Sequence, residues 1–187
     1  MTVAILGGRF DPPHLGHVAL AARAVEHFSL DRLLVLVAAD PGHKPAVAPA
    51  PERLELAQLA FARLPADVEL DRHRFTVDML DERRFDDPLF LIGADELVAF
   101  PTWKRPERVL ELARLGVATR PGYDRERLDL VLAQLPRPDR VELFELEPHP
   151  VSASEVRRRA AAGEPLDGLV PPEVAARIRA RGLYRED

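Results

Sequence analysis

Two kinds of apolar pattern alternate along the chain. Val3-Ala4-Ile5-Leu6 and Leu33 to Val37 are short unbroken apolar runs, the first ending in Gly7-Gly8. A strand apolar on both faces is covered on both faces, so these runs predict a parallel sheet clad in helices. Between them Val18, Ala21, Ala22, Val25 and Phe28 recur at helical spacing after the breakers Asp11-Pro12-Pro13. The alternation continues with a helix near Pro51 to Arg63, a strand near Val68 to Leu70, a helix near Thr76 to Arg84 and a strand at Leu89 to Ile92. A strand at Leu115 to Thr119, a helix near Arg125 to Leu135 and a strand at Val141 to Leu146 follow, and helices near Ala153 to Ala162 and Pro171 to Arg181 end the chain. Right-handed crossovers turn such a series into a Rossmann-like, doubly wound, mainly parallel α/β sheet with helices on both faces and C-terminal helices. Ligands of such folds sit at the carboxyl ends of the strands.

With 187 residues the expectation is one domain spanning 1–187, because domains run to about 150 residues. No apolar run reaches the ~20 residues of a membrane helix, and the start has no basic leader, so a cytoplasmic protein is expected. Cysteine is absent, which removes disulfides, thiolate nucleophiles and Cys-ligated zinc. The net charge of −5 argues against a general nucleic-acid or anionic-membrane binder, since such binding rests on an excess of Lys and Arg. Of the 26 basic residues only Lys44 and Lys104 are lysines. Asn is missing and Ser is rare, so Ser152 and Ser154 beside Arg157-Arg158-Arg159 stand out.

The densest chemical signal is Gly7-Gly8-Arg9-Phe10-Asp11-Pro12-Pro13-His14-Leu15-Gly16-His17. Glycines after a buried strand let a backbone approach a ligand closely, and the helix start that follows offers N–H groups to phosphate. His14 and His17, three apart, can face the same phosphate, with Gly16 leaving the surface between them open. A strand-to-helix turn with surface histidines is the bland alternative. Zinc would need a third or fourth ligand that no spacing supplies.

This motif, with the later Ser152-Ala153-Ser154-Glu155-Val156-Arg157, resembles the nucleotidyltransferase superfamily bearing the H-x-G-H signature. Phe90-Leu91-Ile92-Gly93-Ala94-Asp95, Phe100-Pro101-Thr102-Trp103 and Arg120-Pro121-Gly122-Tyr123 are similar, within it, to the bacterial nicotinate-nucleotide adenylyltransferase family, over about Val3 to Tyr184. The resemblance implies transfer of the adenylyl group of ATP to nicotinate mononucleotide, by direct attack of the acceptor phosphate and without a covalent intermediate. It implies Mg²⁺ as the companion of ATP, because the metal shields and bridges triphosphate oxygens.

Carried over residue by residue, the resemblance gives His14 and His17 the α- and β-phosphates and Gly8, Arg9 and Phe10 the backbone along the substrate phosphate. Lys44, in the family's P-P-H-K loop, would hold phosphate oxygens, although Gly42 stands where the family more often has proline. Ser152, Ser154 and Arg157 match the late segment that meets the β- and γ-phosphates, with an N-cap as the rival role for a serine. Gly93 and Asp95 match the nucleotide-contacting strand end, Asp95 toward ribose hydroxyls or as an N-cap. Trp103, the only Trp, matches the residue that stacks on the pyridine ring, against the ordinary role of core anchor. Thr76 matches a threonine near the nicotinate carboxylate, although Arg74-Phe75 replaces the usual Ser-Tyr. Arg120 is a candidate phosphate or carboxylate neighbour. His27, His73 and His149 carry no motif. Four readings stay open: the same transfer onto nicotinamide mononucleotide or phosphopantetheine, an H-x-G-H aminoacyl-tRNA synthetase, for which the chain is short and acidic, and a non-catalytic nucleotide sensor.

Overall fold

In the computed structural model, which describes residues 2–41 and 46–185, six parallel strands form one sheet. In chain order these are β1 (Val3–Gly8), β2 (Arg32–Ala38), β3 (Ala66–Asp71), β4 (Leu89–Gly93), β5 (Arg114–Thr119) and β6 (Val141–Glu145). Their spatial order is β3-β2-β1-β4-β5-β6, so the direction of winding reverses between β1 and β4. Such a reversal leaves a crevice at the carboxyl end of the two central strands.

Period-two alternation sorts the strand residues into two cores. Ala4, Leu6, Leu33, Val35, Val37, Leu89 and Leu91 pack on one side with helices α1 (Leu15–His27), α2 (Ala50–Phe61), α7 (Ala153–Ala161) and α8 (Pro172–Arg181). Ile5, Leu34, Leu36, Phe90, Ile92, Leu115 and Val117 pack on the other with α3 (Thr76–Arg83), α4 (Ala94–Ala99), α5 (Pro106–Leu112) and α6 (Arg125–Leu132). Register joins the two halves, Ile5 sitting between Leu34 of β2 and Phe90 of β4. Each fully buried Leu, Ile or Phe contributes roughly 1.5–3 kcal/mol, so the doubly covered central strands hold the crevice rigidly. Among the described residues no helix is long and apolar enough to cross a membrane.

The expected doubly wound α/β sheet is present, and the expected elements recur within a few residues. One region departs from expectation. Between β4 and β5 lie α4, a 3-10 turn at Phe100–Thr102 and α5, where the apolar pattern predicted no element. Trp103 follows that turn and packs on Phe100 at 5.3 Å and edge-on to Phe90 at 6.1 Å.

Candidate active site

The main cleft, about 810 Å³, opens at the β1–β4 reversal. Gly7 and Gly8 end β1, and the loop Arg9–Pro13 leads into α1. Gly8 is required here because the Phe10 ring folds back on it. A Cβ at position 8 would stand 2.9 Å from the ring's Cζ. Phe10 itself is buried in the left-handed backbone region, at φ 48°. The Arg9–Pro13 loop is thus closed from behind by its own aromatic side chain, which packs edge-on against Phe61 of α2.

His14 is the N-cap of α1 and His17 the third residue of its first turn. Their rings stack at 3.7 Å, and His17 stands edge-on to Phe10 at 5.1 Å. The His14 backbone N–H donates to His17 Nδ1 at 3.2 Å. That bond fixes the neutral tautomer of His17: Nδ1 accepts, so the proton sits on Nε2 as a donor. Gly16 permits the stack, since a Cβ there would press on His14 Cε1 at 3.1 Å. Burial lowers His14 from 6.5 to about 4, and burial plus the nearby His14 lowers His17 from 6.5 to about 3. Both rings are therefore neutral at pH 7, hydrogen-bonding groups rather than cations. Among the described residues the buried His14 Nδ1 finds no hydrogen-bond partner, which suits a site prepared for a polar ligand. The Leu15 N–H, by contrast, is already taken by the Leu169 carbonyl at 2.9 Å, so it is not one of the amides offered to phosphate.

Sequence reasoning passed over the supports of this loop. The Asp11 carboxylate is buried and accepts from the Val47 N–H at 2.7 Å, the Ala48 N–H at 3.1 Å and the Tyr184 hydroxyl at 3.0 Å. Arg53 of α2, 1% exposed, donates to the carbonyls of Ala48, Arg9, Ala38 and Ala39. Arg157 of α7 donates to the Asp11 carbonyl at 2.7 Å and lies 3.5 Å from Ser154 Oγ. It is not among the residues lining the cleft, whereas Ser152, Ala153 and Ser154 are. Ser152 caps α7, its hydroxyl accepting from the Glu155 N–H at 3.2 Å.

The other end of the cleft is walled by Gly93 and Asp95 at the end of β4 and the start of α4, by Thr76 as the first residue of α3, and by Trp103. Asp95 accepts from the Tyr123 hydroxyl at 2.9 Å, and Arg120 approaches it to 3.8 Å while remaining outside the cleft lining. Two further wall residues were given no role by the sequence. His73 is held by Asp71 at 2.6 Å and Glu82 at 2.9 Å, whose hydrogen bonds raise its pKa. Phe75, 41% exposed, lies beneath the ammonium of Lys104 at 4.6 Å. The structure thus brings Gly8, Arg9, Phe10, His14, His17, Thr76, Gly93, Asp95, Trp103, Ser152 and Ser154 to one cleft. Lys44 lies outside the described residues.

A parallel sheet in this order, with paired histidines on the loop at its point of reversal, is the architecture of a nucleotide-binding transferase, and the cytidylyltransferase-like family matches residues 5–159. Among curated proteins, a probable nicotinate-nucleotide adenylyltransferase of Thermus thermophilus is 41% identical over 195 residues, covering 99% of this chain and 100% of that protein. One from Rubrobacter xylanophilus is 40% identical over 200 residues, with 100% and 94% covered. Among solved structures, the Plasmodium falciparum nicotinic acid mononucleotide adenylyltransferase complexed with NaAD superposes with a TM-score of 0.81 at 15% identity, covering 98% of this chain and 97% of that one. The chain belongs to the nicotinate-nucleotide adenylyltransferases, enzymes of the nucleotidyltransferase class.

Proposed function

We propose that this chain transfers the adenylyl group of ATP to nicotinate mononucleotide by direct in-line attack in the β1–β4 cleft. An anionic oxygen of the acceptor phosphate bonds to the α-phosphorus. The bond from that phosphorus to the bridging oxygen breaks, its electron pair leaves on pyrophosphate, and deamido-NAD remains. The attacking oxygen carries no proton, so no general base is required. What the protein must supply is alignment and donors for the charge growing on the transferred and leaving groups.

The observation that carries this reading is the stacked, neutral His14–His17 pair, its tautomer fixed by a backbone N–H, on the loop after β1. His14 and His17 would meet the α- and β-phosphates, beside the backbone of Gly8, Arg9 and Phe10. Ser152 and Ser154 extend that surface toward the far phosphates. Arg157 holds the loop through the Asp11 carbonyl with its other nitrogen beside Ser154. Lys44 is proposed as a further phosphate cation. Gly93 and Asp95 would flank the nucleoside, the Asp95 carboxylate being suited to ribose hydroxyls. Trp103 would stack on the pyridine ring, with Thr76 at the carboxylate and Arg120 nearby.

Among the described residues no three His, Asp or Glu side chains converge to hold a metal ion. Mg²⁺ is proposed as the companion of ATP, whose phosphate oxygens suit this cation better than an all-protein cage would. Dependence on ATP implies work in the cytoplasm.

Pyrophosphate release from MgATP, measured with nicotinate mononucleotide, nicotinamide mononucleotide and phosphopantetheine in turn, tests the assignment. The acid should be used best. A site built from donors for a carboxylate leaves them unpaired when an amide arrives, and such mismatch discriminates by up to ~10⁴-fold. Equal kcat/KM for acid and amide would overturn the choice of acceptor while leaving adenylyl transfer intact.

A further inference from the structure

Among the described residues Arg53 is the largest fully buried side chain. Its guanidinium meets four backbone carbonyls: Ala48 at 3.0 Å, Arg9 at 2.7 Å, Ala38 at 2.8 Å and Ala39 at 3.2 Å. These belong to three segments, namely the loop after β1, the end of β2 and the lead into α2. Removing a guanidinium from water costs several kcal/mol, and carbonyl dipoles alone return only part of it. The buried Asp11 carboxylate supplies the compensating charge, held in turn by the Val47 and Ala48 amides and by Tyr184 near the C-terminus. An apolar residue at position 53 would fill the same space at lower cost, so the charge calls for another use.

We infer that Arg53 is a positioning residue of the transfer reaction, which braces and polarises the phosphate loop from behind, and that Asp11 with Tyr184 holds it in place. The Arg9 carbonyl that accepts from Arg53 belongs to the same peptide unit as the Phe10 N–H. A cation on the oxygen of a peptide draws charge toward that oxygen and makes its N–H a stronger donor, so the charge of Arg53 reaches the cleft wall through one peptide. The histidine pair brings no charge of its own to the site at neutral pH. Arg53 is a cation that does not titrate, and it stands beneath the loop that must receive a polyanion. Tyr184 ties this arrangement to the end of the chain, so the last turn beyond α8 takes part in aligning the phosphate loop.

The inference rests on ATP lying along the Gly8–His17 loop, and His17→Ala separates the two claims. Three variants are compared with the intact enzyme: Arg53→Lys, which keeps the charge but cannot reach four carbonyls, Arg53→Met, and Tyr184→Phe. The readouts are kcat for pyrophosphate release, the Kd of nicotinate mononucleotide by calorimetry, and Tm. Expected are losses in kcat of ~10-fold for Arg53→Lys, ~10²-fold for Arg53→Met and ~3-fold for Tyr184→Phe, the scale on which slight misplacement slows transfer, with acceptor Kd unchanged within about twofold. If the Arg53 variants do not fold, Tyr184→Phe decides. It removes one hydroxyl on a buried ring and leaves two amide donors on Asp11. A folded Arg53→Lys or Tyr184→Phe enzyme with unchanged kcat, while His17→Ala is impaired, overturns this inference alone. Loss of acceptor affinity in parallel with kcat also overturns it, because that marks a general loosening of the fold. An unimpaired His17→Ala would remove the placement of ATP on which both rest.

Discussion

At the level of single residues, the histidine pair owes its protonation state to its packing. The spacing places both rings on one helical face, and the structure has them stacked at 3.7 Å on that face. Their neutrality could not be read, since it comes from the burial of both rings and, for His17, also from the nearby His14. His17→Ala should lower kcat by ~10²-fold or more while changing the KM for ATP little, the signature of a donor that meets charge developing in the transition state. A folded variant with unchanged kcat would end that role. The depressed pKa values also have a sign for stability. Between the folded values near 3 and 4 and the unfolded 6.5, the unfolded chain binds more protons. The contribution of the pair is therefore complete above pH 6.5 and is lost as pH falls toward 4. His73 acts oppositely, its raised pKa making its ion pairs a contribution present below 6.5 and lost as pH rises through the folded value. Melting of the ligand-free protein should fall between pH 6.5 and 4, each kcal/mol being worth about 2–4 °C in a chain of this size. His17→Asn, which cannot protonate, should flatten that slope. An equally steep slope in the variant would show that other groups set it. Arg53 lay beyond sequence reading because, among so many arginines, nothing in an Arg on a helix tells a buried fork from a solvated one.

At the scale of elements, strands and long helices were legible because two-sided burial writes unbroken apolar runs and one-sided burial writes helical spacing. The helices between β4 and β5 were not. Only six residues long, α4 starts directly after the last strand residue, Gly93, and α5 begins at Pro106. Pro101 and Pro106 interrupt any apolar period, yet both sit at helix starts, where the missing N–H costs nothing. These two elements carry Asp95 and flank Trp103. Trp103 proves to be a core contact and a cleft wall at once, one edge on Phe90 and Phe100. Trp103→Ala should therefore weaken acid and amide acceptors alike, whereas Thr76→Val, at the start of α3, should hurt the acid selectively. Measuring kcat/KM for both mononucleotides in each variant checks the pair of outcomes, and a selective effect of Trp103→Ala would contradict the assignment of stacking. At the start of α7, Ser152→Ala should cost about 1 kcal/mol of stability through the lost cap. A larger rise in the KM for ATP than that fraying explains would mark the hydroxyl as a phosphate ligand as well.

At the scale of the whole molecule, a single reversal of winding divides the work. The loop after β1 and the start of α7 form one half of the cleft, and the ends of β3 and β4, with α3 and Trp103, form the other. The loop half rests mainly on the core that holds Phe10 and Val156, the Trp103 half on the core that holds Val77 and Phe100, so a change in one should reach the other only weakly. Arg157→Ala should thus raise the KM for ATP and lower kcat while leaving the Kd of nicotinate mononucleotide within about twofold. Trp103→Ala should do the reverse, weakening the acceptor and sparing ATP. In the double variant the two losses in binding free energy should add to within ~0.5 kcal/mol, as they do for groups that share no partner. Calorimetric titration of each ligand into the single and double variants measures this directly. A coupling well above that limit would mean that the ATP and acceptor halves reorganise together. Binding would then be ordered rather than independent, and the cleft would be one mobile unit instead of two fixed walls facing across the reversal.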